Sequence, residues 1–359
     1  MNINRRTYFQ QMFGWSFAAS AINIAPCASP HTVDWVDCVD VGQQELRGFE
    51  AEFPSMGSKI NLRWYSNQKS QDQVVEEAKL IAMYWTSVLS DYELDSQTML
   101  ACFKADEGDW VPLSNDLWNV VKQCDQWHQW SEGAFDAALG AITRIRRQRK
   151  LATQLQWAKA KQSSGWNLLE LDPLSQSIRF VTPGVRLDFG AIGKGIVVDR
   201  IAEKLLSMGI ERYVVNAAGN MRMGLGPAET AGWPIAIDFP VNNPTESPIE
   251  LLRMRFMNGG VATSGDRWQR FPDANALNSD DRSSHILEPS SGNGLSGHQN
   301  VTVFAENAAD ADAVATATCV RARRDLAGWL QTLSEHKPNV HAIIMLKEND
   351  SDPVRFIST

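Results

Sequence analysis

One fifteen-residue stretch constrains this chain more than any other: Arg186-Leu-Asp-Phe-Gly-Ala-Ile-Gly-Lys-Gly-Ile-Val-Val-Asp-Arg200. It opens on Asp188, passes three glycines around Lys194 and runs into an amphipathic helix. Glycines let backbone N–H groups approach phosphate oxygens, and a helix N-terminus adds a favourable dipole. The segment therefore reads either as a site for an anionic ligand or as a strand-to-helix turn that needs only small residues. It is not a phosphate loop of the Walker type, because the glycine spacing is wrong and no Ser or Thr follows Lys194. Asp188-Phe-Gly190 spells a kinase tripeptide, yet no His-Arg-Asp loop precedes it. No Gly-x-Gly-x-x-Gly opens a βαβ unit, which excludes a Rossmann dinucleotide site.

The composition fits a protein with a substantial core: 43% of the 359 residues are hydrophobic and 21% are charged. A net charge of -8 argues against nucleic acid as a partner, since a phosphate backbone needs a basic face. Thirteen tryptophans are many for this length, and Trp85, Trp118, Trp127 and Trp130 sit in helix-like stretches where packing explains them. Cysteines at 27, 38, 102, 124 and 319 show no Cys-x-x-Cys pair, so a zinc site is not expected and they read as buried small hydrophobes.

Residues 1–29 read as an export signal. Asn4-Arg-Arg-Thr-Tyr-Phe9 is twin-arginine-like, and Met12 to Ala25 is apolar but too short and polar to span a bilayer. This places the protein outside the cytoplasm, in the periplasm or on the outer face of the inner membrane. It leaves room for a peripheral or lipid-mediated membrane association, although Pro26 fits poorly beside a lipidated Cys27.

A polar lead over residues 30–52 precedes a strand in which Ile60, Leu62 and Trp64 alternate inward. Gln71 to Leu89 has helical spacing, and Ser114 caps a second helix with Leu117, Val120 and Val121 inside. Ala141 to Lys161 is basic and periodic, and reads as a solvated helix face. Strands are expected at 178–181, 212–216, 234–238, 251–256 and 301–304, with helices over 199–208 and 308–321. Elements in this irregular order favour an α+β domain over a doubly wound sheet.

Two further features carry chemistry. Asp312 and Thr316 are four apart on the 308–321 helix and share one face. A carboxylate and a hydroxyl so placed are hard oxygen ligands suited to Mg²⁺, or else a capping feature. Thr263, Ser264 and Gly265 form a polar turn able to meet a phosphate or a flavin edge, and His285 titrates in a range suited to proton transfer.

Taken in order, Met56-Gly-Ser58, Tyr92-Glu-Leu-Asp-Ser96, Gly133-Ala-Phe-Asp136, the glycine segment with Asp199, Ala262-Thr-Ser-Gly265, His285-Ile-Leu-Glu-Pro289 and Asp312-x-x-x-Thr316 resemble one family. It is that of the FAD:protein FMN transferases, the ApbE-like proteins once called thiamine biosynthesis lipoproteins. The resemblance implies a single T-fold-related α+β domain over 53–359, with mixed sheets flanked by helices. It implies FAD as substrate, Mg²⁺ as cofactor, and FMN passed to a threonine hydroxyl of a redox-system acceptor protein, with AMP leaving. By position, Asp312, Thr316 and the Ala191 carbonyl match the metal ligands. Met56, Tyr92, Ala134, Phe135, Asp136, Asp188, Lys194 and Ile286 match FAD contacts, to which the residue reading adds Thr263 and Ser264. His285 is the candidate base for the attacking threonine, with Asp266 in reserve. The chain departs from the pattern in its basic run 144–150, in Ala218 and Asn220, and in Ser290. Hydrolysis of FAD to FMN and AMP, or flavin binding without catalysis, are the alternative readings.

Overall fold

The computed structural model describes residues 38–41, 44–67, 70–148, 152–228, 230–238, 251–265, 270–272, 282–296, 298–347 and 355–358. Its strands in chain order are β1 (Cys38–Val41), β2 (Gln44–Ser55), β3 (Ser58–Ser66), β4 (Val111–Pro112), β5 (Leu169–Asp172), β6 (Ser177–Phe180), β7 (Arg212–Ala217), β8 (Asn220–Met223) and β9 (Trp233–Asp238). They continue with β10 (Leu251–Phe256), β11 (Gly259–Gly265), β12 (Arg270–Pro272), β13 (Arg282–Ser284), β14 (Leu287–Glu288), β15 (Asn293–Gly294), β16 (His298–Ala305), β17 (His341–Lys347) and β18 (Arg355–Ser358). The helices are α1 (Gln71–Leu89), α2 (Gln97–Ala105), α3 (Asn115–Trp130), α4 (Gly140–Arg147), α5 (Gln154–Gln162), α6 (Gly193–Ser207), α7 (Ala308–Arg321) and α8 (Leu326–His336).

Nine strands form one sheet in the order β1-β2-β3-β7-β8-β11-β16-β17-β18, and every pairing in it is antiparallel. Period-2 alternation gives the sheet two apolar faces. Ile60, Leu62 and Trp64 point to the larger core, which α1, α6 and α7 cover. Tyr65, Val261, Phe304 and Met345 point to the other side, where the β9–β10 hairpin packs through Trp233, Ile235 and Met254. The expected α+β class holds, and the expected helices over 71–89 and 308–321 stand at those bounds.

Three expectations need correction. The sheet begins inside the polar lead, because β1 starts at Cys38 and β2 at Gln44. There Glu50 and Glu52 alternate with Phe49, Ala51 and Phe53, and mean polarity hides that period; Phe49 stacks on Trp64 with centroids 5.4 Å apart. The basic stretch is not one solvated helix: it divides into α4 and the largely exposed α5, and on α4 Arg146 is buried, its Nη2 donating to Ser284 O at 2.9 Å. The 199–208 helix begins earlier, at Gly193.

Two tight hairpins bring their tips to the edge of the large core. Ser55 pairs with Ser58 around Met56 and Gly57, at φ 50° and 66°, and Ala217 pairs with Asn220 around Ala218 and Gly219, at φ 52° and 94°. Both central residues at positive φ is the turn that matches strand twist. Cys102, Cys124 and Cys319 are buried as expected and form no disulfide, and burial pushes the Cys102 thiol up to about 11.

Candidate active site

Helices α6 and α7 meet at their N-terminal turns, at unusually close range. A Cβ on Gly195 would stand 2.4 Å from Ala308 O, and one on Gly260 of β11 would stand 2.1 Å from the Asn307 carbonyl carbon. Two of the glycines in the motif regions are therefore there for packing, since only a bare backbone fits. At this crossing the helices cap each other. Asp199 of α6 accepts from Ala308 N and Ala309 N, each at 2.9 Å. Asp312 of α7 accepts from Gly195 N at 3.2 Å. Each carboxylate satisfies N–H groups that the first turn of a helix leaves without partners, and favours the positive end of that helix's dipole.

Asp312 is 3% exposed, and burial pushes its carboxyl up, with the Lys194 charge and the Gly195 N–H drawing it part-way back. One turn along α7, Thr316 Oγ1 lies 3.2 Å from Ser264 Oγ. Lys194 Nζ donates to Gly190 O at 3.1 Å. Met56, at its hairpin tip, lies over Gly193, with its Cε 3.6 Å from where a Cβ there would stand. Asp310 contrasts with Asp312: its oxygens accept from Lys337 Nζ at 2.7 Å, Asn307 Nδ2 at 3.0 Å and Gln123 Nε2 at 3.3 Å. It is a structural carboxylate.

The other end of the glycine segment is built around Asp188. Its Oδ1 accepts from Gly190 N at 2.8 Å, and its Oδ2 accepts from Thr143 Oγ1 at 2.7 Å and Arg147 Nη2 at 2.8 Å. The second arm of Arg147 pairs with Asp91, and its guanidinium carbon lies 4.4 Å from the centroid of the Tyr92 ring. Burial and the neighbouring Asp188 charge raise the Asp91 carboxyl to about 6 against the pull of Arg147. Thr143, Arg147 and Asp91 are absent from the sequence-based site. The i, i+4 spacing of Thr143 and Arg147 on α4 was a usable signal, but it was hidden within a run of arginines. For Asp91 no local pattern exists.

The remaining expected residues divide. Ala134 and Phe135 are buried, and Asp136 accepts from Ala138 N at 2.7 Å and Trp166 N at 2.9 Å. The next residue, Ala137, links this turn to the glycine segment, since the Asp188 N–H donates to Ala137 O at 2.8 Å. Thr263 and Ser264 do not form a turn. They are consecutive in β11, so the pleat sends Thr263 to the opposite face, where its hydroxyl meets that of Thr302 at 2.9 Å. Only Ser264 reaches Thr316. His285 and Ile286 follow β13 on a segment held to α4 by the Arg146–Ser284 bond, with Ile286 buried in the large core. Asp266 lies outside the described residues.

With this geometry in view, the comparisons decide the family. A sequence model of the ApbE family matches residues 56–344. The chain belongs to the ApbE family. Its relatives include an FAD:protein FMN transferase of Chlamydia muridarum, 28% identical over 228 residues, covering 61% of this chain and 67% of that one. Another, from Vibrio cholerae, is 26% identical over 329 residues, covering 86% and 88% of the two chains. Among solved structures, the flavin transferase ApbE from Vibrio cholerae superposes with a TM-score of 0.74 at 20% identity, covering 88% of this chain and 97% of that one. The apo flavinyl transferase ApbE of Pseudomonas stutzeri gives 0.69 at 22% identity, covering 89% and 96%. These two likenesses establish the shared ApbE fold.

Among the described residues no three His, Cys, Asp or Glu side chains gather as a metal site. A cation on this ApbE fold would instead rest on oxygen donors of three kinds. Asp312 is a buried carboxylate with one hydrogen bond and a capacity for several. Thr316 stands on the same helical face, and Ala191, four residues before Gly195 and ahead of α6, is the residue whose carbonyl is expected to join them. Such hard, partly filled donors fit Mg²⁺, which keeps other positions for water or phosphate oxygens.

Proposed function

We propose that this chain transfers FMN from FAD to a threonine hydroxyl of an acceptor protein, with Mg²⁺ held by Asp312, Thr316 and the Ala191 carbonyl. The observation that carries the reading is Asp312 itself, a fully buried carboxylate given a single backbone donor and set beside Thr316 and Lys194. A carboxylate that needed only to cap a helix would be saturated, as Asp199 is. The family membership and the names of its relatives support the same conclusion.

In the reaction the threonine Oγ bonds to the FMN-side phosphorus and the pyrophosphate P–O bond breaks. AMP departs with the electron pair. His285 receives the hydroxyl proton, and Asp266 is the second candidate for that role. Bound Mg²⁺ supplies charge neutralisation on the pyrophosphate. Lys194 contributes positive charge from the first turn of α6, adding to that helix's dipole at the same point. The Met56 tip and the Tyr92 ring border the glycine segment and supply apolar and aromatic surface for the nucleotide.

The test is to incubate the purified protein with FAD, Mg²⁺ and a threonine-bearing acceptor and look for covalent flavin on the acceptor. Acceptor that stays unmodified while FAD binds overturns the reading, and free FMN with AMP points to hydrolysis instead. The export reading rests on Asn4-Arg-Arg-Thr-Tyr-Phe9 and the apolar stretch after it, outside the described residues. No described helix is long and apolar enough to cross a membrane. Fractionation of cells expressing the chain, with Arg5 and Arg6 both replaced by Lys as the control, checks the location.

A further inference from the structure

We infer that Arg147 is a positioning residue of the flavin site, which locks the Tyr92 ring as a stacking platform for a planar ring of FAD. This rests on the flavin-site reading above. Three separate stretches of chain converge on this one side chain. Asp91 and Tyr92 follow α1, Arg147 and Thr143 come from α4, and Asp188 opens the turn into α6. Arg147 pairs with both carboxylates, whose side chains are only 8% and 9% exposed, and its guanidinium covers the ring of Tyr92 at 4.4 Å. Tyr92 remains 72% exposed. One face of the ring is thus fastened by a cation while the residue offers most of its surface outward.

An exposed tyrosine with nothing beneath it exchanges rotamers freely, and a ligand stacking on it must first immobilise it. A guanidinium fixed by two buried carboxylates removes that cost. Lysine cannot replace it, because one ammonium cannot bridge two carboxylates and lie flat against a ring. The half-buried arginine also separates the two carboxylates: without it Asp91 and Asp188 face each other as like charges. Arg147 belongs to the basic run where the chain departs from the family pattern.

The experiment measures FAD affinity by flavin fluorescence for the wild type, R147A, R147K, Y92A and the R147A/Y92A double variant, with thermal unfolding of each. FMN and AMP are titrated separately to distinguish a flavin ring from an adenine on the platform. R147A should weaken FAD about tenfold, the equivalent of about 1.4 kcal/mol, and R147K should recover little of it. In the Y92A background, R147A should change affinity by less than about twofold, because coupled residues are not additive. Equal weakening in both backgrounds overturns the inference, and so does unchanged affinity in R147A where the wild type binds FAD. Should the wild type bind no flavin, the flavin-site reading itself falls and takes the inference with it. If R147A does not fold, R147K alone and in the Y92A background carries the same comparison.

Discussion

Asp199 on α6 and Asp312 on α7 each lend a carboxylate to the N-terminus of the other's helix, across a contact that only glycine allows at Gly195. Asp199 is consumed by this duty. Both its oxygens hold backbone N–H groups, and Arg222 Nε lies 3.7 Å away. Asp312 performs the same service with one oxygen and one bond. The difference separates a residue that holds the fold from one that the fold holds in readiness. Burial raises both carboxyls, Asp199 to about 6, so neither position is favourable for a bare charge. Only Asp312 has the neighbours, Thr316 and Lys194, that make its remaining capacity useful.

The largest effect should come from Asp312→Ala. Transfer of FMN should fall by about 10³-fold or more, equivalent to roughly 4 kcal/mol of barrier, while stability changes by only about 1 kcal/mol for one lost hydrogen bond. Retained transfer in this variant would erase the distinction between the two carboxylates. Asp199→Ala should show the reverse pattern. Two buried N–H groups lose their acceptor, costing about 2–4 kcal/mol in urea unfolding, with transfer per folded molecule kept within a few-fold.

The pH dependence sharpens the comparison further. Asp199 titrates at about 6 in the folded chain against an ordinary 3.8. Between these values the folded form holds a proton that the unfolded form has released. Its contribution to stability is therefore greatest below the lower value, is lost as pH rises through the window, and is level above about 6, at up to about 1.4 kcal/mol per pH unit. Asp91, also raised to about 6, contributes in the same direction. Asp199→Asn should flatten part of the slope of melting temperature against pH between 4 and 6, and an unchanged slope would remove Asp199 from the account. The smallest effect is at the β7–β8 tip. Ala218 sits at φ 52°, where an L-residue is strained. Ala218→Gly should stabilise the chain by about 1 kcal/mol in the same unfolding assay.

Much of the fold could be read from local pattern. The helices at 71–89 and 308–321, the Ser114 cap and the Ile60-Leu62-Trp64 strand follow from periodicity and capping chemistry, which act between residues close in sequence. The polar lead misled because its strand carries glutamates on alternate positions. In the basic stretch from Ala141 to Lys161 charge does not mean exposure throughout, because Arg146 and Arg147 are drawn inward by a carbonyl and two carboxylates from distant parts of the chain. Thr263 and Ser264 are adjacent in sequence, but the pleat of β11 sends their hydroxyls to opposite faces.

The α+β class, the glycine segment and the pairing of Asp312 with Thr316 on one helical face are legible in the order of residues alone. Those properties are written in spacing, and spacing is local. What the glycines are for, the anchoring of Asp188 by Thr143 and Arg147, and the open oxygen of Asp312 beside the filled ones of Asp199 and Asp310 emerge from packing between distant elements. A carboxylate's capacity is set by how many donors surround it, and in this protein those donors arrive from other helices and strands.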